Sequence, residues 1–158
     1  MGLDQYAGFR CIYDSEVLHE IFYWRKHARL QVFFAKEFIK HKQLQKVKKE
    51  VKEVKKKFVV GWDVKSYRLP RALEVGDLYH LGFNTGEGGV KITHDVVNRL
   101  DKERRADYPN CVAQDGFYWG QNWQEDSIRQ YKKQDEEFVE WCKEQLKEGQ
   151  DIVYDCSW

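Results

Sequence analysis

Apolar and polar positions along this chain recur with two different periods, and together they predict a strand near each end with helices between. Residues 5 to 13, Gln-Tyr-Ala-Gly-Phe-Arg-Cys-Ile-Tyr, alternate loosely and are rich in strand formers, which predicts a first strand. Asp14 and Ser15 follow as a helix N-cap, with Glu16 placed near the positive end of the helix dipole. A long helix is expected from there through at least Phe34, because Leu18, Ile21, Phe22, Trp24, Ala28, Val32 and Phe33 wrap a wide apolar arc. Leu44, Val47, Val51, Val54 and Phe58 then recur at steps of three and four with lysines on the other faces, the pattern of an amphipathic helical arm over about 36–58.

Further along, Phe58 to Trp62 reads as a short strand and Arg68-Leu-Pro-Arg71 as a turn. Asp77 to Asn84 and Val90 to Thr93 flank Thr-Gly-Glu-Gly-Gly, which predicts a hairpin with a glycine-rich loop. Thr93 caps a short helix whose apolar stripe is Val96, Val97 and Leu100 and which ends before Tyr108-Pro109-Asn110. Asp115-Gly-Phe-Tyr-Trp-Gly120 is an aromatic cluster at a strand or tight turn. Glu125 to Glu148 keeps a helical stripe at Ile128, Tyr131, Phe138, Cys142 and Leu146, stopped by Gly149, and Asp151 to Trp158 closes the chain as a strand.

This order of elements predicts an α+β fold in one domain spanning residues 1–158: a small mixed or antiparallel sheet, packed by the long N-terminal helix and the C-terminal amphipathic helix, with the lysine-rich arm beside it. Both chain ends are expected in that sheet. The length of 158 residues suits a single domain, and 42% hydrophobic with 15% aromatic residues is ample for a core despite 34% charged.

Charge changes the picture more than composition does. Lys36 to Lys57 holds ten lysines against three glutamates, so this stretch carries +7 in a chain whose net charge is +1, and the remainder carries a net −6. Such a dipole steers oriented association with a charged partner better than it supports uniform coating of nucleic acid. Cys11, Cys111, Cys142 and Cys156 form no CxxC pair, which argues for buried thiols; a Cys11 to Cys156 disulfide between the terminal segments is the one alternative. No signal peptide or membrane-length apolar run appears, so the expected compartment is cytosolic.

Candidate chemistry is sparse. Glu20 to Arg29 packs aromatics and cations together, and on a helix His19, Tyr23, Lys26, His27 and Leu30 would share one side. Tyr23, Arg25, Lys26 and His27, with Asn84 and Trp158, are therefore the candidate contacts for a phosphorylated or nucleotide-like small molecule; the plainer reading is a core helix with cations at its rim. His19 and His27 are too far apart on a helix for one metal, no HExxH pair exists, and the 84–89 loop lacks the GxxxxGK[ST] spacing of a phosphate loop. Asp135, Glu136 and Glu137 read as a solvated acidic face. Neither a nucleophile nor a cofactor is indicated. Tyr118 and Trp123 are the candidate aromatic anchors for a protein partner, with Lys48, Lys52 and Lys55 on the arm as its candidate cationic contacts.

Several segments taken in order are similar to a group of small uncharacterised proteins of tailed bacteriophages and prophages. They are Met1-Gly-Leu-Asp-Gln-Tyr6, Glu20 to Gln31 with Tyr23-Trp-Arg-Lys26 inside it, Phe83-Asn84, Val90-Lys-Ile-Thr93, Gly116 to Gly120, and Tyr154-Asp-Cys-Ser-Trp158. The resemblance covers roughly the first thirty-four residues and the second half of the chain. It implies a phage accessory protein made in the host bacterial cytoplasm. The chain departs from that pattern between about Lys36 and His80, where the lysine-rich arm is longer than the resemblance leads one to expect. The leading expectation is a protein that binds and modulates a host or defence protein without catalysis; the second is the small-molecule reading. Nucleic-acid binding comes third, because the acidic remainder opposes the lysines.

Overall fold

The computed structural model describes residues 3–10, 13, 18–41, 89–113 and 121–157. Its strands are β1 (Asp4–Arg10), β2 (Leu18–Arg25), β3 (Val90–Lys91) and β4 (Ile152–Ser157). A helix over residues 28–41, here α1, follows β2; α2 is His94–Arg105 and α3 is Gln121–Lys147. The strands form one four-stranded sheet in the order β2-β1-β4-β3, and every neighbouring pair is antiparallel. The architecture is α+β.

The two ends of the chain meet as expected: β1 pairs with β4 from Asp4↔Ser157 to Phe9↔Ile152. The helix expected through residues 16–34 is corrected. Residues 18 to 25 are a strand, paired with β1 from Asp4↔Arg25 to Arg10↔Leu18, and the helix begins only at residue 28. Period two explains the outcome. Phe22 and Trp24 turn toward the core while Ile21, Tyr23 and Arg25 turn outward, and a run of β-branched and aromatic residues suits a pleated, half-buried surface.

Across from this run the register slips between Ala7 and Gly8, leaving Ile21 as the extra residue of a β-bulge. Gly8 is required there, because a Cβ would stand 1.9 Å from the His19 carbonyl oxygen. At the other end of β2 the chain turns at Lys26, which adopts φ 56°. Three hydrogen bonds hold that turn: Lys26 N–H to the Leu3 carbonyl (2.9 Å), Ser127 Oγ–H to the Lys26 carbonyl (3.1 Å) and His27 N–H to Gln5 Oε1 (2.8 Å). A left-handed non-glycine residue persists only where its surroundings over-determine it, and these do.

The core lies between the inner sheet face and the helices. Phe138 packs edge-on against Phe22 and Trp24, Trp141 against Phe9 and Phe22, and the Tyr154 ring stacks on Phe34 with centroids 3.8 Å apart. The expected Thr93 cap is present, with Thr93 Oγ1 accepting from Val96 N, and Val96, Val97 and Leu100 are buried. The long C-terminal helix ends as expected at Gly149, whose φ of 75° lets Gly149 N–H reach the Leu146 carbonyl and Gln150 N–H the Gln145 carbonyl. Arg99 clamps Glu37 through two bonds of 2.7 and 2.8 Å, joining α1 to α2, and Asp101 joins α2 to Lys143 of α3.

Residues 36–41 of the lysine-rich arm belong to α1. The rest of the arm, the strand at 58–62, the 77–84 half of the hairpin and the aromatic cluster at 115–120 lie outside the described residues.

Candidate functional site

The segment singled out by its rings and cations splits into two environments. Tyr23 and Arg25 project from the outer sheet face, and Ile21 is 50% and Tyr23 42% exposed. Trp24 and His27 are fully buried. The shared helical side of His19, Tyr23, Lys26 and His27 therefore does not exist, because alternation along a strand sends neighbouring side chains to opposite faces.

On the outer face Tyr6 of β1 lies beside Tyr23, with ring centroids 5.6 Å apart and planes at 45°. The Tyr23 hydroxyl donates to Asp4 Oδ1 at 2.6 Å. That bond, together with burial and the Asp4 charge, pushes the Tyr23 phenol up to about 12. Helix α3 closes the outer edge of β2 at this point: Gln134 Nε2 donates to the Tyr23 carbonyl (2.7 Å), and the Tyr131 hydroxyl accepts from Arg25 N–H (3.0 Å) while facing the Arg25 carbonyl (3.3 Å). Backbone groups that would otherwise recruit another strand are thereby satisfied. The result is a rigid Tyr–Ile–Arg surface at one end of the sheet, bordered by Asp4, which pairs on one side with Arg25 and on the other with Ser157.

Beneath that surface is a buried polar hub. Asp135 of α3 receives Trp24 Nε1–H on Oδ1 at 2.9 Å and the Tyr108 hydroxyl on Oδ2 at 2.7 Å, with His27 Nε2 also 2.7 Å from Oδ2. Burial first, and then the Asp135 charge, raise the Tyr108 phenol well above its ordinary value, so Tyr108 keeps its proton and donates. The His27 ring stacks on Tyr131 and meets Tyr108 edge-on. A second chain of bonds runs through Gln5, which holds the His27 backbone at both N–H and carbonyl and donates to the Tyr154 hydroxyl (2.9 Å); Tyr154 donates in turn to Gln31.

An aspartate orienting a histidine is the geometry of a general base, yet the His27 ring is completely enclosed and its Nδ1 is buried with no hydrogen-bond partner among the described residues. That nitrogen therefore has essentially no surface open to solvent. In this arrangement the hub acts as a lock that fixes the Lys26–His27 turn and, through it, the direction of Tyr23 and Arg25.

The described cysteines are not poised as nucleophiles. Burial pushes the Cys111 thiol up to about 11 and Cys156 up to about 12, so neither is a thiolate near neutral pH. No group of three or more His, Cys, Asp or Glu side chains among the described residues is placed to hold a metal ion.

Of the remaining candidates, Asn84, Trp158, Tyr118, Lys48, Lys52 and Lys55 lie outside the described residues. Trp123 falls within α3, and its side chain is likewise outside them. Sequence reasoning missed Tyr108, Gln5 and Tyr6, and the solvated reading of Asp135 is corrected: Asp135 is buried and hydrogen-bonded in the hub, while Glu136 and Glu137 are exposed. Asp135 had a signal: Ile128, Tyr131, Asp135, Phe138 and Cys142 follow steps of three and four, which puts Asp135 on the buried stripe of α3 and apart from exposed Glu136 and Glu137.

No family model, no curated protein and no solved structure matches this chain.

Proposed function

We propose that this chain is a binding protein that docks a protein partner on the outer face of β1 and β2. The observation that carries the reading is Tyr23. Its ring is 42% exposed, yet it is held by the Asp4 hydrogen bond and the Tyr6 ring, beside exposed Ile21 and Arg25. A tyrosine immobilised before binding loses little side-chain entropy when a partner covers it, and Tyr and Arg are residue types that dominate interface energetics. The resemblance to phage proteins makes the partner a host or defence protein of an infected bacterium, met in its cytoplasm and modulated by occupancy.

The small-molecule alternative keeps Tyr23 and Arg25 on the surface. A ligand touching His27 would have to enter the core.

The test is capture from bacterial lysate at low salt with the full chain as bait, comparing wild type with Tyr23→Ala and Arg25→Glu. Lys133→Ala serves as the control, since Lys133 is 89% exposed on α3. The reading predicts a stoichiometric partner that both surface variants lose and the control retains, with all four proteins folded at the temperature of capture. Recovery of the same partner in equal amount by all four proteins, or recovery of none, overturns it.

A further inference from the structure

We draw no further inference here: the strongest candidate, the cavity of about 520 Å³ between the end of α1, β3 and the start of α2, lined by buried Phe38, Val90 and Val96 with exposed Lys40 and Lys91 at its rim, opens between His41 and Gly89, where the described residues break off, and nothing in the structure shows what covers it.

Discussion

Asp135 is buried, takes hydrogen bonds from two fixed donors and sits 2.7 Å from a buried imidazole. Asp135→Asn puts an amide N–H opposite one of those donors and should cost about 3–5 kcal/mol, read as a lower denaturation midpoint at constant m-value. Trp24→Phe deletes only the indole donor and some volume, and should cost about 1–3 kcal/mol. Equal stability of either variant with wild type would show that the hub is not formed. Tyr23 offers a different readout. Its folded pKa, about 12, lies above the ordinary tyrosine value near 10, so its contribution is complete below about pH 10 and disappears as pH rises through about 12. Tyr23→Phe should therefore be less stable than wild type at pH 8 and equal to it above pH 12, and difference spectra should lack one late-titrating phenolate. A stability gap that persists unchanged at high pH would contradict the Asp4 bond. At this scale the sequence was legible for Thr93, Gly149 and the apolar stripes, where local chemistry decides. It was opaque for Asp135 and Gln5, because a buried polar residue is explained by partners that lie 22 to 149 positions away.

At the scale of elements, β2 is the instructive case. Leu18 to Arg25 is compatible with a helical arc, and Asp14-Ser15 offers a cap, so local signals conflict. Pairing with β1 resolves the conflict, since it satisfies the backbone while burying Phe22 and Trp24 against Phe138. A competition settled by a partner strand cannot be read from the segment alone. The bulge that fits β2 to β1 depends on Gly8, and Gly8→Ala should unfold the protein or lower its melting temperature by many degrees, because its Cβ would meet backbone 1.9 Å away. The α2–α3 junction answers to pH. Burial works to raise the Asp101 carboxyl, but the Arg105 hydrogen bond and the charges of Arg104 and Lys143 outweigh it and hold the group below its ordinary value. Its folded pKa is thus depressed, so its contribution is present above the ordinary carboxylate range near pH 4 and is lost as pH falls through the depressed value. Asp101→Asn should be less stable than wild type at pH 6, with the difference closing in acid. A difference independent of pH would mean the cluster acts through packing.

For the molecule as a whole, the neighbouring placement of β1 and β4 makes the fold depend on both chain ends: β4 lies between β1 and β3, so removing Ile152 onward splits the sheet. Among the described residues no helix is long and apolar enough to cross a membrane. The proximity of the termini was legible because each end reads as a strand and the sheet is small. The division of Tyr23, Trp24, Arg25 and His27 between outside and inside was not, since it follows from the strand register. On that register rest the exposed Tyr23 face and the lock beneath it. Tyr6 and Tyr23 form a pair without mutual backbone hydrogen bonds, as Lys26 N–H to the Leu3 carbonyl fixes the phase, and such pairs bring Cα atoms to about 4.5 Å. The most direct measurement is a nuclear Overhauser spectrum of the labelled protein. A strong Hα–Hα contact between Tyr6 and Tyr23 is predicted; its absence, with helical contacts between residues three apart from Leu18 to Arg25, would contradict the account.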